Sequence, residues 1–483
     1  MKSKPFFVVS VALALSLLLA SSASALFLPS DGQAATLVLG QPDFTSSGFA
    51  VTQSGMYDPG DIAVDPTTGK IFVSDSVNNR VLRFNNVAAL SNGAAAEAVL
   101  GQSDFVSSSV SPTGPNTLWN PRGVAVDANG TLWVGDAYNN RVLRFDHAAS
   151  TANGANADGV LGQPGFSTRD YTASQSGMWN PYYLTVDTSG RLWVADSSNR
   201  RVLRFDNAAS KPNGAEADGV LGQPDFTSNA SHISQNGFGN PGGLVVDGSG
   251  RLWVADLVRV LRFDNAASKP NGANADGVLG QPDFTSSVPN TTQSGMFGPD
   301  DVTIDIYGTL YVSEFNNSRV LVFGAAASLP NGANADFVLG QPDFVTQSQN
   351  TGGISAATLS LPSGVFFDPA AKVLWVADAQ NGRVLMYGQP YATLHILPFI
   401  GLVRLFLPPG VTPIGSISIQ TADGALHTFD VSPDVRILPS KRVGQLSAGS
   451  FVTLLTRFDQ STGNMVVFQI VVHPQAVGPG AAP

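Results

Sequence analysis

The chain has 483 residues, of which 43% are hydrophobic and only 13% charged, with a formal net charge of -10. It contains no cysteine, which excludes disulfides, thiolate metal sites and cysteine catalysis. The excess of acidic over basic residues, 36 against 26, argues against a nucleic-acid backbone as partner, and 50 glycines with 31 prolines point to many turns between short strands.

Residues 1–25 read as a secretory signal. Lys2 and Lys4 give the positive start, Phe6 to Ala20 is apolar, and Ala23-Ser24-Ala25 is a small-residue cleavage site. The apolar run is about 15 residues, shorter than the ~20 of a spanning helix. The expectation is a secreted, extracellular or periplasmic protein with no membrane span in the mature chain. The oily window 394–409 is interrupted by His395, Arg404 and three prolines, and is expected to be a core strand or packed linker.

From Leu39 a phrase of the type LGQPDF recurs six times, with glycines at 40, 101, 162, 222, 280 and 340. A second phrase follows each copy, most cleanly NPRGVAVDANGTLWVGDAYNNRVLRF over Asn120 to Phe145. A supersecondary unit repeated at a nearly fixed period means a repeat architecture. Each unit predicts four short strands, in the second copy Val124–Asp127, Thr131–Gly135, Arg141–Phe145 and Ala155–Gly162, separated by turn residues such as Asp127-Ala-Asn-Gly130. Four antiparallel strands per unit make a propeller blade. The first LGQPDF stands before any three-strand set and the last three-strand set has no fourth strand after it. The N-terminal strand is therefore expected to complete the last blade, closing a six-bladed, all-β propeller over 35–390.

The recurring P-x-G-[VIL]-x-V-D, W-V-A-D and N-x-R-V-L-R-F resemble the NHL repeat, which builds six-bladed propellers. The resemblance covers about three quarters of the chain and is specific for fold rather than function. NHL propellers are similar to peptide-amidating lyases, antibiotic lyases, RNA-binding modules and exported proteins of other kinds. The amidating-lyase resemblance would imply zinc-binding histidines, with arginine and tyrosine near the substrate. Here His147, His232, His395, His427 and His473 all lie away from the repeat prolines, so three imidazoles converging on zinc are not expected.

Every blade ends its second strand on an acid, Asp75, Asp136, Asp196, Asp256, Glu314 and Asp378, and opens its third on an arginine, Arg80, Arg141, Arg201, Arg259, Arg319 and Arg383. The spacing is five, except for three between Asp256 and Arg259. Made six times, the pair reads as a structural salt bridge rather than a binding site. Trp133, Trp193, Trp253 and Trp375, with Phe72 and Tyr311 in the same position, read as core between blades.

Function on a symmetric scaffold belongs where the symmetry fails. Long loops rich in Ser, Thr, Asn and Gln lie over 41–59, 102–121, 163–181, 223–241, 281–299 and 341–361. The two residues after each repeat proline are expected to line the channel mouth. Among them Asp61, Arg122, Tyr182, Tyr183, Asp300 and Asp301 break an otherwise glycine-rich pattern, and are the ligand-binding candidates. Tyr57, Trp119, Trp179 and Phe297 either rim that mouth or cap the core beneath the loops. No cofactor is required, although Asp61 and Asp301 are hard oxygen donors suited to calcium. Replacing both with glycine is expected to leave the fold intact.

Residues 392–475 leave the repeat. Strands at Ser416–Ile419, Leu426–Val431, Phe451–Arg457 and Met465–Val472 predict a small β-barrel or sandwich that resembles extracytoplasmic β-barrel modules, and 476–483 is a flexible tail. The function expected from this pattern is an exported, non-catalytic binding or scaffold protein. Its partner is a protein, a small polar ligand or a glycan, and not nucleic acid. The alternative is a lyase or hydrolase acting at the channel mouth through Asp61, Arg122 or Tyr183.

Overall fold

The computed structural model describes residues 29–388 and, beyond them, the backbone of five further strands. Residues 1–25, the tail and all of 394–409 except Leu402–Arg404 lie outside the described residues.

Six antiparallel four-stranded sheets follow one another. In chain order their inner strands are Pro59–Val64, Pro121–Val126, Pro181–Val186, Pro241–Val246, Pro299–Ile304 and Pro362–Asp368, which we number as blades one to six. Each inner strand packs beside the inner strands of the two neighbouring blades, so the six surround one central channel. The outer strands, such as Gly159–Leu161, are only three residues long. Among the described residues no helix is long and apolar enough to cross a membrane.

Both faces of the second and third strands are buried, which is why these segments read as nearly continuous apolar runs. The core consists of six interblade clusters. Trp133 of blade two packs with Leu184, Val194 and Phe205 of blade three, and Trp193 packs with Leu244, Val254 and Phe263 of blade four. Phe72, Tyr311 and the remaining tryptophans fill the equivalent clusters, as the sequence predicts.

The N-terminal strand closes the ring. Leu37–Leu39 runs antiparallel to Arg383–Tyr387, with Leu37 opposite Met386 and Leu39 opposite Val384. The segment before it mimics a loop found in the other blades. There, an Asn-Gly pair caps the outer strand of the preceding blade: Val99 N–H donates to Asn153 Oδ1 at 3.0 Å, and Gly154 N–H donates to Val99 O. At the closure, Val338 N–H donates to Asp31 Oδ1 at 3.0 Å and Gly32 N–H to Val338 O. Each short outer edge is thus capped by its neighbour.

The LGQPDF phrase is a strand end and a loop clamp. Its glycine is left-handed, with φ +85° at Gly222, and a Cβ there would lie 1.9 Å from the Phe238 ring. Gln223 Nε2 donates to Arg200 O and Ala230 O, and Asp225 Oδ1 accepts from Thr227 and Ser228 N–H. The polar side chains of the phrase are thus occupied in holding backbone.

The chain beyond the propeller forms a second unit from His395 onward. Its strands Leu402–Arg404, Ser416–Gln420, Leu426–Leu438, Asn464–His473 and Phe451–Asp459 lie in that order in one sheet. Strands cover the four segments read from the sequence, and Leu402–Arg404 falls in the window 394–409 expected to be a core strand or packed linker. The described strands form one sheet.

Candidate functional site

The repeated acid and arginine form a buried hub in each blade. In blade three Arg201 Nε donates to Asp196 Oδ2 at 2.7 Å, with both side chains fully buried. The guanidinium also donates to Ser174 O and Gly177 O of the preceding long loop, and to Phe226 O of the following LGQPDF phrase. Asn199 Nδ2 donates to the same carboxylate, and Asp196 Oδ1 accepts from Trp179 N–H at 2.6 Å. The same geometry fixes Tyr57, Trp119, Phe297 and Ser360 to their acids. Blade four, with its shortened turn, lacks the asparagine, and its Asp256 accepts from both Gly239 and Asn240 N–H. These pairs are structural, and the backbone they hold is that of the rim.

The mouth is built by a β-bulge. In every blade the pairing of inner and second strands is interrupted after the proline; in blade three Pro181 pairs with Asp196, and pairing resumes only at Leu184 opposite Val194. The two intervening residues escape the ladder and turn toward the axis, as bulges do. The second of the two alternates large and small around the ring: Asp61, Gly123, Tyr183, Gly243, Asp301 and Gly364. The glycines are required sterically. A Cβ on Gly123 would lie 2.7 Å from Tyr183 Cα, one on Gly243 1.8 Å from Asp301 Oδ1, and one on Gly364 2.6 Å from Asp61 Cα.

Three large side chains therefore fill the channel. Asp61 Oδ1 accepts from Ile62 N–H and its Oδ2 from Val124 N–H of blade two, at 2.7 and 2.9 Å. Asp301 repeats this between blades five and six, its Oδ2 accepting from Val365 N–H at 2.9 Å. Tyr183 crosses the axis, and its hydroxyl donates to Asp300 Oδ2 at 2.8 Å and lies 3.2 Å from Gly60 O. The expectation that glycine at 61 and 301 leaves the fold intact is thus corrected. Removing either carboxylate strips an acceptor from a buried N–H of the next blade, at roughly 1–3 kcal/mol each.

Above this plug Arg122 pairs with Asp58 at 3.0 Å, its Nε donates to Asn120 Oδ1, and its guanidinium lies 5.3 Å from the centre of the Tyr182 ring. Tyr182 meets Tyr183 edge-on at 5.2 Å. Burial pushes the Asp300 carboxyl up to about 6, against the lowering influence of the Tyr183 hydrogen bond and of Arg122. Burial also raises Asp61, to about 8, and Asp301 well above the usual carboxylate range; the nearby Asp61 charge adds to the shift at Asp301. All six predicted mouth residues are thus brought together, but in two layers: Asp61, Tyr183 and Asp301 as the plug, and Arg122, Tyr182 and Asp300 around it. Among the described residues no three His, Asp or Glu side chains gather as metal ligands would. His232 is half-buried in a loop, its Nδ1 3.2 Å from Ala230 O, and His147 lies in the turn after the third strand of blade two.

The rim aromatics are at the same end as the mouth; Tyr57, Trp179 and Phe297 are exposed and Trp119 is half-buried. Each stands immediately before a left-handed residue, with φ 57° at Asp58, 53° at Asn120, 57° at Asn180 and 67° at Gly298. Three have aromatic partners that sequence reasoning missed. Phe49 stacks on Tyr57 at 4.1 Å, Tyr171 on Trp179 at 4.9 Å, and Tyr138 meets Trp119 edge-on at 5.7 Å. Phe49 and Tyr171 each lie eight residues before the ring they cover, an offset visible in the sequence. Asp58, the partner of Arg122, was missed too, because it replaces the asparagine found before the proline in blades two to four. Two clefts between loop and LGQPDF turn, beside Gln41 and Gln281, occupy equivalent positions in the repeat and lie away from the channel.

The family described as NHL repeat matches residues 56–84 and 118–145, which fall in blades one and two. Among solved structures the chain is similar to a gluconolactonase from Xanthomonas campestris, at 17% identity and a TM-score of 0.42 over 73% of this chain and 98% of that one. It is also similar to a virginiamycin B lyase from Staphylococcus aureus, at 13% identity and a TM-score of 0.37 over 68% of this chain and 80% of that one. Likenesses of this size carry no argument about chemistry.

Proposed function

We propose that this NHL-repeat propeller is an exported, non-catalytic binding protein whose ligand docks on the face carrying the six long loops. One observation carries the reading. The carboxyls of Asp61, Asp300 and Asp301 and the Tyr183 hydroxyl are already bonded to one another or to neighbouring strands, whereas the rim above them presents exposed rings whose backbone is held by buried hubs. A closed floor under a rigid, exposed rim suits recognition. Export rests on the signal-like residues 1–25. Intact mass of exported protein is expected to show loss of about 25 residues, and a membrane-bound chain retaining Met1 would overturn the export.

A thermal-shift screen of amino acids, peptides and saccharides tests the binding. Hits are expected to weaken when Arg122→Ala or Tyr182→Ala alters the mouth, and to be recovered chemically unchanged. Hits insensitive to every substitution on this face would overturn the reading.

The acid–base alternative is favoured by Asp300, whose carboxyl sits at about 6 beside Tyr183 and near Arg122. Its signature would be turnover of activated esters or lactones that rises with pH through about 6 and is lost in Asp300→Asn. Calcium at Asp61 and Asp301 is a separate proposal. Both carboxylates already accept backbone N–H bonds, and calorimetry with calcium chloride on wild type and Asp61→Asn/Asp301→Asn decides it. Equal affinity, or no heat from either, removes the metal.

A further inference from the structure

The rim is not uniform around the ring. Blades one, two and three each carry an aromatic pair, Phe49 with Tyr57, Tyr138 with Trp119, and Tyr171 with Trp179. The equivalent position is Gly239 in blade four and Ser360 in blade six. Blade five keeps Phe297, but Pro289 stands eight residues before it, where blades one and three have an aromatic. The pairs thus form an arc over three consecutive blades rather than a six-fold feature of the scaffold.

Of the rim rings in the arc, Tyr57 and Trp179 are each 38% exposed, whereas Trp119 is half-buried against Tyr138 and Arg169; the partner rings stand further out. Tyr171 is 63% exposed, Tyr138 52% and Phe49 44%. Tyr57, Trp119 and Trp179 are pinned through their backbone N–H to buried carboxylates. A buried structural role would hide such rings, and single exposed aromatics scattered at random would not pair at one repeated position.

The chemistry between the rings identifies the occupant. Loops 41–59, 102–121 and 163–181 carry only Asp43, Asp58, Asp104, Arg169 and Asp170 as charges, the rest of their polar side chains being hydroxyls and amides. The cleft beside the Phe49–Tyr57 stack is lined by Gln41, Thr52 and Ser54 together with glycine backbone. Arg169 lies 5.2 Å from the centre of the Trp119 ring, which places guanidinium donors beside it. A protein partner is best served by one contiguous apolar core with a polar rim. Here apolar platforms recur once in each of blades one to three and are separated mostly by neutral hydrogen-bonding groups. A pyranose has that pattern: C–H bonds on its faces to lie against an aromatic ring, and hydroxyls around its edge for amides and alcohols. A polymer of such units repeats it.

Building on the reading of this face as a binding surface, we infer that the arc over blades one to three binds a polysaccharide chain, successive sugar rings stacking on the exposed aromatics. Affinity electrophoresis of the full chain through gels containing xylan, mannan or a soluble β-glucan, with pull-down on chitin, cellulose and peptidoglycan, tests it. Retention by at least one glycan is expected. The triple variant Tyr57→Ser/Trp119→Ser/Trp179→Ser is expected to bind at least tenfold more weakly. Serine already occupies this position at Ser360, and an unchanged melting curve confirms the fold. Phe297→Ser, outside the arc, is expected to bind as wild type does. No retention on any glycan, or equal retention of the triple variant, overturns the inference. If glycans fail while the thermal-shift screen yields a ligand sensitive to Arg122, the saccharide is wrong and the binding reading stands. If the glycan is retained but cleaved, the non-catalytic reading falls and the saccharide site stands.

Discussion

Asp61 and Asp301 are buried carboxyls whose acceptor bonds join neighbouring inner strands, yet burial raises both. A carboxyl whose folded pKa lies above its unfolded value holds its proton more tightly when folded. Folding stability therefore falls as pH rises from the unfolded value near 4 to the folded one, about 8 for Asp61. Asp300 and Asp75, each raised to about 6 by burial, act in the same sense over a narrower window. The exposed turn residues Asp225 and Asp283 are lowered to about 2 by their Thr227 and Thr285 hydrogen bonds, and so act oppositely, losing their contribution as pH falls from about 4 to 2. The melting temperature is expected to peak near pH 4–5 and to decline through pH 8. Asp61→Asn, which keeps an acceptor and cannot ionise, is expected to flatten the alkaline decline. Melting curves across this range for both proteins check it, and a wild type more stable at pH 9 than at pH 5 would refute the protonated pair.

The buried acid–arginine hub is what lets a loop of nearly twenty residues behave as an ordered element. Arg201 alone bonds Asp196, two carbonyls of the loop before it and one of the phrase after it. A lysine cannot reproduce that planar fan of donors. Arg201→Lys would leave several buried carbonyls unpaired and a carboxylate poorly neutralised, and is expected to cost about 3 kcal/mol. The second half of loop 163–181 should lose its amide-exchange protection first, because this hub holds it at Ser174, Gly177 and Trp179, whereas Phe166 is held by Arg141 of the preceding blade. Exchange measured by mass spectrometry reads the effect directly, and uniform protection in the variant would show that the hub is not what orders the loop.

Closure makes the six blades one body. The strand Leu37–Leu39 supplies the outer edge of blade six, and Asp31-Gly32 caps the outer edge of blade five. Deleting residues 26–40 would unpair backbone on Arg383–Tyr387 and open the interblade clusters on either side. Loss of soluble folded protein is expected, rather than a defect confined to one blade. A deletion variant with unchanged thermal unfolding would refute the topology.

The period of the LGQPDF phrase, the apolar second and third strands and the offset between phrase and three-strand set were sufficient to predict a closed ring of six blades. Repetition records the same local packing problem solved six times, and such a solution is visible in any one copy. The site was only half legible. That Asp61, Arg122, Tyr182, Tyr183, Asp300 and Asp301 break the pattern can be read from the chain, but their layering cannot. Which side chain fills the axis depends on the bulge after each proline and on the glycine facing it from the preceding blade, Gly364 for Asp61, Gly123 for Tyr183 and Gly243 for Asp301. The Tyr183 hydroxyl is oriented by Asp300, 117 positions further along. Likewise Tyr57 and Trp179 are equally consistent with core caps or exposed platforms until the left-handed residue after each is seen. Local sequence determines the blade because its contacts lie mostly within one repeat. Only tertiary structure decides the mouth, where the contacts that place Asp61, Tyr183 and Asp301 reach other blades.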